Sequence, residues 1–506
     1  MVSESSPSVQ SDPRRWLILS VIGIAQLMVV LDTTVMNIAL PSAQHALHFS
    51  TADRQWVVTA YTLSFGSLLL LGGRLADLLG RKSTFLVGLL GFAGVSAVGG
   101  ASVNFAMLVT ARACQGVFGA LLVPSALALL TTTFTDPRER GKAFGIYGAI
   151  AAGGGAVGLL LGGALTEYLS WRWALYINLA FAGAAFIGGL LLLKRLPPPG
   201  VKPKLDGPGV LAVSGGLFCI VYAFSNAATH NWHTPSTYGF LITGVVLLAL
   251  FAFWQSKAAS PLLPPRIVAD RNRSGAYFSI LVASCGMFAM FLFLTYILQQ
   301  SLDYTPVVTG LAFLPFTGAI ALGSNVSNIV LMPRIGPKPI APTGLVIATG
   351  SMIWFSQFGV HTGYARGIVG PLIMFGVGMG MVIATSINSG TYGVAPRDAG
   401  VSSATVTVGQ QLGASIGTSL LNTIFASAVA SYLIASHARP TAALTALALT
   451  HGYDTAFTWI AGLFAAGAVV SALLFRAGPL RRQGDSSIAA GAATEPSVHT
   501  GLTQPV

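Results

Sequence analysis

Long apolar runs separated by short polar breaks recur along nearly the whole chain, and their lengths predict membrane-crossing helices. About 20 residues at 1.5 Å each cross the ~30 Å apolar core of a bilayer. Fourteen runs fit, near 16–40, 54–72, 83–103, 105–131, 143–166, 173–193, 209–228, 236–256, 274–298, 307–331, 339–358, 367–390, 400–428 and 454–475. Polar or Pro-rich connections at 194–208 and 257–273 divide these spans as six, two and six. The expected architecture is therefore an all-α polytopic membrane protein. A six-helix bundle occupies 14–193, linker regions with two extra helices occupy 194–273, and a second six-helix bundle occupies 274–476. The tails, 1–13 and 477–506, are polar and expected to be disordered.

Composition agrees. Only 8% of the 506 residues are charged and 53% are apolar. Soluble proteins carry about 25% charged residues, which excludes one giant soluble core. The net charge of +12 sits in alternate short connections rather than in one basic stripe, so nucleic acid is not an expected partner. Arg14, Arg15, Arg74, Arg81, Lys82 and most other basic residues fall on the side of the termini; Arg54, Arg172, Arg366 and Arg439 fall on the other. The positive-inside rule then makes both termini cytoplasmic in a multi-pass cell-membrane protein. No cleavable signal peptide is expected, since the run after Arg14-Arg15 is too long for one. Cys114, Cys219 and Cys285 lie in apolar spans without a CxxC, and His230 and His233 lack further ligands, so neither disulfides nor a metal site are expected.

Glycines carry a hidden repeat. Gly154, Gly158 and Gly162 share one face of the fifth span; Gly409, Gly413 and Gly417 repeat that spacing in the thirteenth, the fifth of the second bundle. Small residues at every fourth position let helices approach closely. Ordinary packing or homodimerisation explains either stripe alone, whereas their matched positions point to a moving interface between the halves.

Two ionisable residues stand inside spans: Asp32 in the first and Arg112 in the fourth. An ionised carboxylate at such depth costs roughly 3 kcal/mol or more, and protonation removes much of that cost, so Asp32 is a natural proton-operated switch. The alternative is an Asp that faces a polar crevice or bonds to nearby backbone. Arg112 cannot easily lose its proton and needs a carboxylate or polar backbone nearby; Gln115 lies close to the same face. No other acid is expected well inside a span.

Several segments resemble the major facilitator superfamily, specifically its fourteen-span drug:proton antiporters. The loop Gly73-Arg74-Leu75-Ala76-Asp77-Leu78-Leu79-Gly80-Arg81-Lys82 matches G-x-L-A-D-x-x-G-R-K at every specified position. There the glycines permit a tight turn, and Asp77 with the basic residues can form a charge latch. Leu31-Asp32-Thr33-Thr34-Val35-Met36-Asn37-Ile38-Ala39-Leu40-Pro41 resembles the span-1 signature and carries over Asp32, Asn37 and Pro41. The segment around Arg112 resembles the motif that the family associates with proton coupling. Gly158-Leu159-Leu160-Leu161-Gly162-Gly163 departs from the antiporter pattern G-P-x-x-G-G, because Leu159 restores the N–H that Pro would remove. Trp171-Arg172-Trp173 and Asn178 also resemble the family and mark the expected outer interface. Around Pro333, Gly336 and Lys338 lies a degraded copy of the first loop, with Pro333 in place of Asp77.

The resemblance implies a proton-driven exporter of small lipophilic drugs or antibiotics, cations included. Its expected partners are substrate, protons and membrane lipids; it acts as a monomer and uses the proton motive force rather than a cofactor. Gln26, Tyr61, Gln115, Asn325, Asn388, Gln410 and Gln411 are candidates for the cavity wall, each equally a candidate for interhelical hydrogen bonding. A dedicated exporter or importer of one endogenous metabolite or lipid is the alternative. An intramembrane enzyme or sensor is disfavoured, since no HExxH, P-loop or GxSxG centre occurs.

Overall fold

The computed structural model describes residues 13–478 apart from 52, 135, 195–205, 231–233, 259–260, 360–361, 395–398 and 438–440. Arg439, His233 and the tail residues 1–12 and 479–506 lie outside the described residues, as do the side chains of Asp77 and His230.

Fourteen long helical spans run in sequence. The first six are α1 (Arg15–Leu47), α2 (Gln55–Leu79), α3 (Arg81–Gly100), α4 (Phe105–Thr133), α5 (Pro137–Tyr168) and α6 (Trp173–Leu192). A hairpin follows, α7 (Gly207–His230) and α8 (Pro235–Lys257). The last six are α9 (Arg271–Ser301), α10 (Pro306–Ile335), α11 (Pro337–Phe355), α12 (Val369–Thr391), α13 (Ala399–Ala435) and α14 (Ala442–Leu474). Among the described residues, thirteen are long and apolar enough to cross a membrane; the other, α11, opens on Lys338 and three prolines that dilute its apolar run.

Helices outrun the apolar windows that announced them, because capping and polar residues extend a helix without raising its hydropathy. The Thr441 side chain accepts from the Leu444 N–H and starts α14 twelve residues before the expected Tyr453–Asp454 boundary. Asp454 consequently lies within a span, half-buried, which corrects the expectation that Asp32 was alone. Two π-helical turns, Ile297–Ser301 and Val326–Leu331, finish α9 and interrupt α10.

The two bundles share one packing plan. In the first, α1 packs on α5 and α6, α2 on α4, and α3 on α4 and α6. In the second, α9 packs on α13 and α14, α10 on α12, and α11 on α12 and α14. The repeat extends to the turns. Gly80 (φ 92°) joins α2 to α3 and Gly336 (φ 73°) joins α10 to α11, each in a left-handed conformation that a side chain would strain. Between the halves, α2 meets α13 and α5 meets α10, while α7 lies against both α2 and α13. An apolar cluster continues from Leu31, Val35 and Ile38 of α1 into Phe293, Phe313, Phe375, Phe425 and Phe464 of the second half.

Candidate functional site

Five helices converge on Asp32, which is fully buried. Its Oδ2 accepts from Arg112 Nη1 of α4 at 2.6 Å. Its Oδ1 accepts from Gln115 Nε2 (3.1 Å) and from Asn178 Nδ2 of α6 (2.7 Å). Gln115 and Asn178 also donate to Ser96 Oγ of α3, at 2.7 and 3.3 Å. Arg112 is satisfied on its remaining sides: Nε donates to the Val57 carbonyl of α2 (3.0 Å), Nη1 to Gln115 Oε1 (3.0 Å), and the guanidinium lies 4.4 Å from the Tyr61 ring centre. In a low-dielectric interior such pairing is what keeps two charges tolerable. Two polar atoms beside the pair have no protein partner, Asn178 Oδ1 and the Tyr61 hydroxyl.

Sequence spacing brought Asp32, Arg112 and Gln115 into view. It missed Ser96, an ordinary small residue, and Val57, which acts through its backbone. Asn178 belongs to the network rather than to the outer interface, because its place in α6 turns it inward onto α1. Trp171 is likewise buried, and Arg172 donates to the Gly100 and Ser102 carbonyls at the end of α3 (2.8 and 2.6 Å), where a cation offsets the helix dipole. Trp173 is exposed.

The proposed cavity wall disperses. Tyr61 and Gln115 are in the charge network, and Gln26 accepts from the Tyr147 hydroxyl at 2.5 Å. Gln411 is buried in the α2–α13 seam against Gly66, and Gln410 is half-buried beside it. Asn325 and Asn388 are exposed; Asn388 Nδ2 donates to Asn328 Oδ1 at 2.6 Å. Asn37 is half-buried, and Pro41 lies buried within an α1 that continues past it.

Both glycine stripes lie inside a half, against the expected interface between halves. A Cβ at Gly154 or Gly162 would meet Leu27 or Val35 of α1 at 3.0 and 2.8 Å, and one at Gly158 would strike Thr34. Gly409, Gly413 and Gly417 face α9 in the same way, at Ile280, Leu281 and Cys285. A four-residue period selects a helix face, but it does not say which neighbour that face meets. Only the terminal Gly163 reaches across, where a Cβ would lie 2.6 Å from the Pro306 carbonyl. Next to it α5 runs unbroken through Leu159.

Residues 73–79 are helical rather than a loop, so the turn in that motif is Gly80 alone, and Gly73 packs against Pro124. The basic residues reach carbonyls: Arg81 to Ala128 (3.3 Å), Lys82 to Leu190 and Leu193 (2.9 and 2.5 Å), and Arg74 to Pro261 (3.2 Å). Near Arg74, Asp206 accepts from the Gly209 N–H, Trp254 Nε1 and Gln255 Nε2 and fastens the base of the α7–α8 hairpin.

The sequence profile of the Major Facilitator Superfamily matches residues 22–418. A puromycin resistance protein of Streptomyces alboniger is 46% identical over 473 residues, covering 93% of each chain. A cephamycin export protein of Amycolatopsis lactamdurans is 34% identical over 405 residues, 80% of this chain and 83% of that one. Among solved structures, an auto-inhibited peptide transporter of the POT family superposes with a TM-score of 0.67 at 16% identity, over 93% of this chain and 99% of that one. A buried Asp–Arg pair inside two packed repeats of six helices, with these relatives, settles the affiliation: the chain belongs to the major facilitator superfamily.

Proposed function

We propose that the protein is a proton-coupled exporter that moves small lipophilic compounds, cations included, across the cell membrane by alternating access. The observation that carries this reading is the Asp32–Arg112 pair, buried in a span and tied to five helices. A proton on Asp32 would cancel the charge opposite Arg112 and turn an acceptor oxygen into a donor. Removing one partner from a buried pair costs about 3–5 kcal/mol. Such a bias shifts a two-state equilibrium by roughly 10²–10⁴-fold, enough to exchange one access state for the other. Cationic cargo competes with the proton for the same carboxylate, which gives exchange its sign.

Export is favoured because the relatives are named for antibiotic resistance and export. Both termini would be cytoplasmic, the monomer would be the working unit, and the proton motive force would replace a cofactor. The test is efflux from inverted vesicles under an imposed pH gradient. Transport that ignores collapse of the gradient would refute coupling.

A second reading is supported by the same names. Each of the two relatives is named for one compound, so a dedicated exporter of a single metabolite fits as well as a broad one. Accumulation of several dyes and antibiotics, with and without expression, separates the two.

A further inference from the structure

Arg54 directly precedes α2 and is 1% exposed, yet the side chains that hold it belong to the opposite half. Its Nε donates to Asn422 Oδ1 of α13 at 3.0 Å. Its guanidinium lies 4.2 Å from the Tyr296 ring centre, 4.9 Å from that of Phe425 and 5.8 Å from that of Phe293. The Tyr296 hydroxyl donates back to Gln44 of α1, and Asn422 Nδ2 to the Thr51 carbonyl. Close by, the Thr59 hydroxyl lies 3.1 Å from that of Thr418 and 3.2 Å from that of Ser419. All this occurs at the end of the molecule away from the termini.

This seam is polar but incompletely satisfied. No carboxylate pairs with Arg54 among the described residues. Arg54 Nη2, Gln55 Nε2 and Oε1, and Ser415 Oγ are buried with no protein partner. A permanent interface would pair such groups, since leaving a buried donor unsatisfied carries its full desolvation penalty. A surface that opens regains those hydrogen bonds from water. Arg112 behaves oppositely, for its partners lie in its own half and remain with it when the halves separate.

We propose that Arg54 is the pin of a charge-selective exit seam. Docked among the rings, it holds the α2–α13 seam shut. Undocked, it places an uncompensated positive charge beside departing cargo, which drives cations outward and opposes their return. The charge-selective part rests on the export reading above; the docking part does not.

The experiment pairs a structural with a functional readout. Thr59→Cys and Ser419→Cys are introduced together with Cys114→Ala, Cys219→Ala and Cys285→Ala, and copper-phenanthroline oxidation scores the closed seam. Arg54→Gln lowers the disulfide yield several-fold, and Arg54→Lys, which keeps the charge but loses the planar stack, lowers it less. In vesicles, Arg54→Gln slows release of a monocationic dye by about 5-fold or more while a neutral dye changes less than about 2-fold. Equal disulfide yields in Arg54→Gln and its parent overturn the pin. Equal slowing of both dyes overturns charge selectivity. A parent that transports neither dye refutes export, and the disulfide yield still decides the pin.

Discussion

The two halves use the same helix pairings to opposite ends. In the first, α1, α3, α4 and α6 converge on a buried carboxylate, a guanidinium and the amides that join them. In the second, the interior is aromatic: Phe316 stacks on Phe375 at 5.6 Å, Phe355 on Phe457 at 5.2 Å and Phe293 on Phe425 at 5.4 Å. Its α12, the counterpart of α4, buries Thr385, Ser386 and Ser389 but no charged residue. One proton can change the energy of the first interior by several kcal/mol, whereas dispersion and apolar burial in the second do not respond to protons. The pairing suits a switch working against a stiff template.

Asp32→Asn tests that asymmetry most severely. Gradient-driven efflux falls at least about 100-fold, and chemical stability drops by about 3–5 kcal/mol because Arg112 keeps its charge without a carboxylate. Ser389→Ala, in α12 of the second half, changes efflux less than about twofold and stability within about 0.5–1 kcal/mol. Vesicle flux and denaturant titration in detergent measure both. Comparable losses in the two variants would mean that the halves share the chemistry.

Next in size is a pair of glycine substitutions, one in each stripe. A Cβ at Gly417 runs into the backbone of Cys285, so Gly417→Ala must push α13 from α9 at a cost of about 1–3 kcal/mol. At Gly158 the obstacles are Thr34 Oγ1 and Cβ rather than backbone; rotating the hydroxyl relieves only the first, and Gly158→Ala costs about 1 kcal/mol, less than Gly417→Ala. Thermal unfolding in detergent ranks them. The reverse order would contradict a stiff second half.

Much of this was legible in the sequence because its signals are physical constraints. Apolar runs had to be about 20 residues long, and an intramembrane Asp had to find a donor. The Gly80 and Gly336 turns were visible as glycines aligned in the two loops, and both adopt the positive φ that only glycine takes freely. What escaped was whatever depends on a helix's rotation or its neighbour. Asn178 looks like an interfacial residue until α6 is seen to face α1, and the glycine stripes fix a face without naming its partner. Ser96 and the Val57 carbonyl carry no sequence signature at all. Hydropathy windows also cut α14 short and so concealed Asp454.

The smallest expected effect lies where neither half owns the structure, at the foot of the α7–α8 hairpin. Burial pushes the Asp206 carboxyl up, but Gln255 Nε2, the Gly209 N–H, Trp254 Nε1 and the nearby Arg74 charge outweigh it, so the group sits below the ordinary carboxylate range. A carboxyl depressed in the folded state contributes stability above its unfolded pKa, near 3.9, and loses it as pH falls through the folded value. The hairpin foot therefore keeps its strength from neutral pH to about pH 4 and loosens below that. The Gly209 amide, which donates to Asp206 at 3.0 Å, is the local reporter. Corrected for intrinsic rate, its hydrogen exchange stays flat to about pH 4 and then rises a few-fold, while Asp206→Asn exchanges faster throughout and shows no acid step. Gly417→Ala and Gly158→Ala leave that profile unchanged if the hairpin foot is independent of the packing in either half. A shifted acid step in one of them would show that this half reaches the seam through α7, and would name the half.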